Sequence, residues 1–487
     1  MRRGVLALDQ GGHASRACIL DETGEIIAER EIPISTLHGS AGEVEHDAEE
    51  IAASLRTAAV AAIRSAGDVV VEAAGLATQR STIVCFERVG GAALSPAISW
   101  RDRRNAQWLD SFSPHAERIS ALTGLPLSPH YGVGKMRWCL DHLPTVQAAA
   151  QRGALQIAPL AAFLSMKLTG RTALVDPANA ARTLLWDSAQ RDWSPELLRL
   201  FGIERALLPA CSATRAQFGD LQLGDLQLQP DEPPAGPIPL RAVTGDQSAI
   251  PFAFGVPDTR AIYINLGTGA FIQRPLATRP ARAAPLVCSV LTADAAGAVY
   301  SLEGTVNGAG SAVSALVEQE HLPEAQLWQQ LETLPANAAL PIYVNGIGGL
   351  GSPYWRSQQP SYFIGGGSAL ERFAAVLESV GFLILINFEL MRQGGGEPER
   401  VIVTGGLSRS NWLCRRLAVL LGVPVLRAAQ EATVLGVAAL AAPALLRPPA
   451  VSRHPELQTR FEARQLAPQD LVALQARRAR FEAALSG

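Results

Sequence analysis

Two segments far apart in the chain share one pattern: an apolar strand, a glycine turn and a second apolar strand. The first is Val5–Leu8, Asp9–Gly12 and Ser15–Leu20. The second is Ala261–Asn265, Leu266-Gly267-Thr268-Gly269 and Ala270–Arg274. Small residues let the chain reverse tightly, so each segment reads as a hairpin. The first copy continues through the turn Asp21–Gly24 into a third strand, Glu25–Glu31. A helix follows, with Asp47 as N-cap, Glu50 as its capping-box partner, and Ile51, Leu55, Ala59 and Ile63 on one face. Strands Val70–Ala77 and Ile83–Glu87 come next. The second copy continues with strands around Leu286–Thr292 and Val299–Leu302, joined by the turn Asp294–Gly297, and a helix at Asn307–Glu320. Strand Val401–Thr404 then enters Gly405-Gly406, ahead of a helix at Asn411–Leu421 and a strand at Pro424–Leu426. Three antiparallel strands, a helix and further strands predict a mixed α/β layer, unlike a doubly wound Rossmann unit. Two copies of that layer, 1–247 and 248–446, are expected to face each other across a cleft.

Between the halves G-D-L-Q-L occurs twice in tandem over Gly219–Leu228, which reads as surface strands with alternating Leu, and the Pro-rich Pro230–Pro239 follows. The tail, 447–487, is expected to be helical and to pack through Phe461, Leu471, Leu474 and Phe481.

Composition removes several functions. The net charge of −3 gives no general attraction for nucleic acid or an anionic membrane. Only Lys135 and Lys167 are lysine. A Walker A loop fails because Pro129 stands where its first Gly belongs and Met136 follows the Lys; no V-A-I-K strand exists. The six cysteines are scattered, without C-x-x-C, which argues against a zinc site or disulfide framework and fits a reducing compartment. No uncharged apolar run approaches the ~20 residues of a membrane span. The expected location is cytoplasmic.

Two nests and two carboxylates carry chemistry. Successive backbone N–H groups at a glycine hairpin tip bind phosphate oxygens. In Leu8-Asp9-Gln10-Gly11-Gly12-His13-Ala14-Ser15-Arg16 the nest lies between a carboxylate suited to hydrated Mg²⁺ and an Arg suited to phosphate. Gly267-Thr268-Gly269 offers a second nest with a hydroxyl. Asp246, in Thr244-Gly245-Asp246-Gln247-Ser248, reads as a helix N-cap and equally as a base for a hydroxyl proton. The two roles are compatible, because a helix N-terminus favours the ionised form.

From Gly4 to about Leu446 the chain resembles the FGGY carbohydrate kinases, most closely their glycerol kinase branch. The resemblance rests on D-Q-G at Asp9–Gly11, G-E-V-E-H-D at Gly42–Asp47, T-Q-R at Thr78–Arg80, Trp100 with Arg103-Arg104, and K-x-x-W at Lys135–Trp138. It continues with G-D-Q at Gly245–Gln247, L-G-T-G at Leu266–Gly269, L-E-G at Leu302–Gly304, G-L-G-S-P-Y-W at Gly349–Trp355, L-E-S at Leu377–Ser379 and T-G-G at Thr404–Gly406. It implies two ribonuclease-H-like domains of the actin/hexokinase type. It also implies transfer of the γ-phosphoryl group of ATP, with Mg²⁺, to a terminal hydroxyl of a small polyol or sugar. Neither nucleic acid nor membrane is an expected partner; a homodimer is compatible. Carried over, Asp246 is the general base, and Asp9 and Asp246 lie near Mg²⁺, partly through water. Gly11, Gly12, His13, Ser15, Arg16, Gly267 and Thr268 meet the phosphates, and Gly405 and Gly406 the adenosine. Arg80, Ser81, Trp100, His130, Asp246, Gln247 and Phe271 line the acceptor site.

The departures fall in that site. Glycerol kinases carry Glu where this chain has Ser81, and Tyr directly after Pro where it has His130, with Tyr131 next. Xylulokinases carry Q-M-H-G where Gln79-Arg80-Ser81-Thr82 stands. Two threonines of the phosphate hairpin are replaced by Gly12 and His13. A polyol or ketose longer than glycerol is the expected acceptor. The alternatives are a ketose kinase of the xylulokinase or ribulokinase type, and a sugar- and nucleotide-binding regulator with little transfer activity.

Overall fold

The computed structural model describes residues 2–40, 42–224, 236–280, 284–335, 338–428, 431–446, 459–463 and 467–486. The first hairpin, Arg2–Gln10 and Ala14–Asp21, continues into Ile26–Pro33 as an antiparallel meander. Val69–Thr78 adds in parallel beside Arg2–Gln10. Pro239–Gly245 adds in parallel beyond it, and Arg215–Asp220 closes the edge antiparallel.

The second half repeats this order. Ala298–Val306, Ala270–Leu276 and Ala261–Leu266 form the meander, and Arg400–Thr404 and Val425–Arg427 add in parallel. Thr459–Phe461 closes the edge antiparallel. Val287–Ala293 extends the far side as a seventh strand. The helical expectation for the tail therefore needs correction: Phe461 is buried on an edge strand, in the place that Arg215–Asp220 occupies in the first sheet. One helix, Pro468–Ser486, does form and buries Leu474 and Phe481, while Leu471 stays exposed. Of the tandem repeat, Gly219 and Asp220 end the edge strand, residues 221–224 lie beyond it and are not strand as expected, and the second copy from Asp225 lies outside the described residues.

Each half has its own core, and a third joins them. Val5, Ala7, Cys18 and Leu20 of the first sheet and Tyr263 and Ile402 of the second pack on the helix Ala432–Ala441, with Ile250 and Phe254. That helix is apolar all round because it is covered all round. Two glycines allow the approach: a Cβ on Gly75 would lie 2.7 Å from the Val437 carbonyl oxygen, and one on Gly436 1.9 Å from that of Ala249. The helix Ala369–Gly395 is long and apolar enough to span a membrane. Here it is a mostly buried core helix of the second half, begun by a Ser368–Glu371 capping box. The helix Ala48–Ala66 begins at Asp47, whose carboxylate accepts from the Glu49 and Glu50 N–H groups. Glu50 does not complete the expected box; its carboxylate accepts instead from the Ser35 N–H and hydroxyl.

A five-stranded sheet inserted in the first half includes Ile83–Glu87, Ala97–Ile98 and Leu155–Pro159. With the segment 99–135 it forms the wall that faces the ends of the parallel strands.

Candidate active site

The ends of three neighbouring strands carry the central groups. Arg2–Gln10 ends at Asp9-Gln10, Val69–Thr78 leads to Gln79-Arg80-Ser81, and Pro239–Gly245 leads to Asp246. Parallel pairing of these strands brings Asp9, Arg80 and Asp246 to one edge. Asp246 opens the short helix Asp246–Ala249, with Gly245 rather than Asp246 in the N-cap position, and its Oδ1 accepts from the Gln247 N–H at 2.6 Å. Burial raises the Asp246 carboxyl above its ordinary range, against the pull of the Arg80 guanidinium, whose Nε stands 4.0 Å away. Asp9 is pushed up to about 7 by burial first and by the nearby Asp246 charge second. Its Oδ1 is buried with no partner among the described residues. Two carboxylates in each other's field, one of them short of partners, suit a hard divalent cation.

The phosphate hairpin is set by local bonds. The Gly11 N–H donates to the Ala14 carbonyl, Gln79 Nε2 donates to the Gly11 carbonyl, and the Gln79 N–H donates to the Gln10 carbonyl. Gly12 is open on its side-chain face, the nearest atoms to a Cβ there being Trp100 Nε1 at 3.9 Å and Gln79 Oε1 at 4.0 Å. His13 is exposed at the tip. Ser15 is a correction. It is fully buried, and its hydroxyl is held at 2.6 Å by Gln10 and at 2.7 Å by Ser54, because its strand position faces the helix Ala48–Ala66. It supports the hairpin from behind and does not face a phosphate. Arg16 is paired with Glu29 at 2.7 Å and with Glu431.

The second turn is continuous with a helix. The Thr268 carbonyl accepts from the Ala309 and Ser311 N–H groups, so the nest abuts the start of the helix Gly310–Glu320. Thr268 itself is exposed. Gly405 takes φ 83°, and a Cβ there would lie 2.6 Å from Asn265 Oδ1, so only glycine fits; Gly406 has nothing within 4 Å of its open face.

The acceptor wall gathers the remaining expected residues. Trp100, 38% exposed, meets the His130 ring edge-on at 5.6 Å, and Phe271 reaches across from the second half to lie 5.0 Å from the Arg80 guanidinium. The Gln247 carbonyl accepts from Gln273 Nε2 at 2.9 Å, and Asn265 Nδ2 donates to its side chain at 3.4 Å. Ser81 has φ 65°, and its hydroxyl is buried without a partner among the described residues. A non-glycine residue held there is a strained position of the kind that functional sites retain.

Three residues with a part in this wall were not assigned from the sequence. Glu303, 1% exposed, accepts from Arg80 at 3.0 Å and from Arg182, both across the cleft. Lys135 donates to the Ser81 carbonyl at 2.9 Å and the His130 carbonyl at 2.7 Å, which fixes both segments. The available signal was a charged residue inside an apolar run: Glu303 in V-Y-S-L-E-G-T-V, and Arg182 in N-A-A-R-T-L-L.

Two α/β layers of matching strand order, with acid groups and glycine turns at their facing edges, define a phosphotransferase of the actin/hexokinase type. The chain belongs to the FGGY family of carbohydrate kinases: the family's N-terminal domain matches residues 4–249 and its C-terminal domain residues 262–445. It is 34% identical over 448 residues to a glycerol kinase of Thermus brockianus, covering 89% of this chain and 88% of that one. It is 32% identical over 450 residues to glycerol kinase 1 of Pseudomonas aeruginosa, covering 90% and 89%. Among solved structures it superposes on Plasmodium falciparum glycerol kinase with ADP at a TM-score of 0.87 and 21% identity, covering 100% of this chain and 98% of that one. A xyloylose kinase from Brucella ovis gives 0.85 and 21%, covering 99% and 98%. The protein is an ATP-dependent kinase of a small carbohydrate or polyol.

Proposed function

We propose that the protein transfers the γ-phosphoryl group of ATP to a terminal hydroxyl of an acceptor longer than glycerol, with Asp246 as the base. The observation that carries this reading is the shared edge of Asp9, Arg80 and Asp246, opposite Phe271 and the Gly267–Gly269 nest. The acceptor hydroxyl loses its proton to Asp246 as its oxygen bonds to the γ-phosphorus. The bond from that phosphorus to the β–γ bridging oxygen breaks, and ADP leaves. Loose phosphoryl transfer asks chiefly for positioning and charge stabilisation. Arg80, anchored by Glu303, orients the acceptor beside Asp246, and Trp100 gives its carbon-bound hydrogens an apolar wall. Gly11, Gly12 and His13 on one side and Gly267 and Thr268 on the other offer backbone N–H groups to the phosphates, with Gly405 and the open face of Gly406 against the nucleoside. Arg16 reaches a phosphate by giving up Glu431.

The partnerless, buried Asp9 oxygen and the neighbouring Asp246 fit Mg²⁺. When bound, the ion would neutralise charge on the phosphate oxygens. Ser81 puts a neutral hydroxyl where glycerol kinases carry a larger carboxylate side chain, and the longer acceptor is proposed on that substitution. All six cysteines are unpaired, which fits a reducing, cytoplasmic compartment. The test is an acceptor-stimulated ADP-release panel of glycerol, erythritol, threitol, xylulose and ribulose. Stimulation by a four- or five-carbon compound above glycerol is expected. Tight ATP binding with no stimulation by any acceptor would make the protein a binder and refute the reading.

A further inference from the structure

Arg16 stands beside the candidate cation site without pairing to it. In the first hairpin it lies directly opposite Asp9, with Glu31 opposite it on the other side. Directly opposed residues of antiparallel strands share a face, with Cβ atoms ~4.5–5.5 Å apart, a span that an arginine side chain crosses easily. Asp9 nevertheless makes no ion pair among the described residues, and its Oδ1 is buried without a partner there. The guanidinium goes to two other acids. Its Nε donates to Glu29 at 2.7 Å, diagonal to it on Ile26–Pro33, and its Nη1 donates to Glu431.

Glu431 is placed by the helix that joins the halves. Its carbonyl accepts from the Leu435 N–H in the first turn of Ala432–Ala441, and the Thr433 hydroxyl donates to the Asp246 carbonyl at 3.5 Å. The close approaches at Gly75 and Gly436 fix how deeply that helix sits. Arg80, at the same edge, is drawn in the same way to Glu303 of the second half. Both Arg16 and Arg80 are thus met by an acid from across the cleft. The Glu29 side chain is 43% exposed and holds an arginine weakly, so the better covered Glu431 decides where Arg16 points. An arginine on Asp9 would satisfy the orphaned oxygen and cancel the charge that a divalent ion needs.

We propose, on the kinase reading above, that Glu431 is a positioning residue for the cation: by holding Arg16 off Asp9, it keeps Asp9 open to Mg²⁺ until nucleotide arrives. Phosphate oxygens then take Arg16 from Glu431, and the guanidinium moves to the phosphate instead of the carboxylate.

The experiment measures Mn²⁺ binding to the nucleotide-free protein through the paramagnetic resonance signal of the free ion, with Asp9→Asn as the blank. Wild type, Glu431→Gln, Arg16→Gln and the double variant are compared. Glu431→Gln should weaken Mn²⁺ binding by ~10-fold or more, because the ion must then displace Arg16 from a charge-assisted bond. The double variant should recover binding, which also shows that the fold is kept. Arg16→Gln should therefore strengthen binding ~10-fold more in the Glu431→Gln background than in the wild type. Charges that act only through their fields add, so an equal effect in both backgrounds overturns the proposal. Binding unchanged in Glu431→Gln, weak binding that persists in the double variant, or no Mn²⁺ binding by the wild type also overturns it. In turnover, Glu431→Gln should raise the Mg²⁺ concentration needed for half-maximal rate and leave kcat at saturating Mg²⁺ near the wild-type value. If no acceptor is phosphorylated, the kinase reading fails separately, and the Mn²⁺ cycle still decides the role of Glu431.

Discussion

Replacing Asp9 with Asn should stabilise the ligand-free protein at neutral pH while abolishing its turnover. The Asp9 carboxyl is pushed up to about 7 from an ordinary value of 3.8, by burial first and by Asp246 second. Between those values the folded state binds more protons than the unfolded one. Stability therefore falls as pH rises from about 4 to about 7, and this contribution is constant above that window. Asn does not titrate. At ~1.4 kcal/mol per pKa unit, the advantage of Asp9→Asn over the wild type should grow by ~2.5 kcal/mol between pH 5 and pH 8. For a domain of this size that corresponds to ~5–10 °C in the unfolding midpoint. The assay is thermal unfolding of both proteins at the two pH values, in chelator and without nucleotide. Addition of Mg²⁺ and ADP should then narrow the gap by raising the wild-type midpoint. A gap that is the same at pH 5 and pH 8 would refute the reading of Asp9 as a buried carboxylate lacking its counter-charge.

Ser81→Glu should shift the ratio of kcat/KM for glycerol over a four-carbon acceptor towards glycerol by roughly tenfold, from one added charge-assisted hydrogen bond. Parallel kinetics on both substrates read it directly. Glu303→Gln should cost ~3–5 kcal/mol, because Arg80 and Arg182 lose a buried counter-ion, and should also raise acceptor KM. Chemical denaturation and acceptor titration measure the two effects. Arg477→Met should destabilise the protein by ~1–3 kcal/mol, since Glu378, 2% exposed, loses its bidentate partner and keeps only Arg416, 3.8 Å away. Acceptor KM should stay as in the wild type, because the pair docks the last helix and lies outside the site.

The hairpins, the helix from Asn411 to Leu421 and the strand Ile83–Glu87 were legible because local pattern and final structure agree there. Turn glycines, apolar runs and polar boundaries coincide at those places. Asp9, Arg80, Asp246, Gly405 and Phe271 were legible through motif order, and folding brings them to one cleft. The rest depended on which face a residue takes in three dimensions. Ser15 sits one residue from Arg16, yet strand alternation sends its hydroxyl to the helix behind the sheet. Phe461 lies on a three-residue strand, too short for periodicity to distinguish from a helical turn. Glu303, on a strand, and Arg182, on the 3-10 turn Ala181–Thr183, are 121 positions apart, and only the folded chain shows them as partners.

Mass spectrometry of the acceptor after incubation with MgATP tests the central claim most directly. With wild-type protein and the best acceptor of the panel, the acceptor should gain one phosphoryl group in step with ADP release. With Asp246→Asn the initial rate should fall by ~10²-fold or more, the usual loss when a positioned base is removed. The same phosphorylated product formed at the wild-type rate by Asp246→Asn would contradict the assignment of Asp246, and with it the chemistry placed at this edge of the sheets.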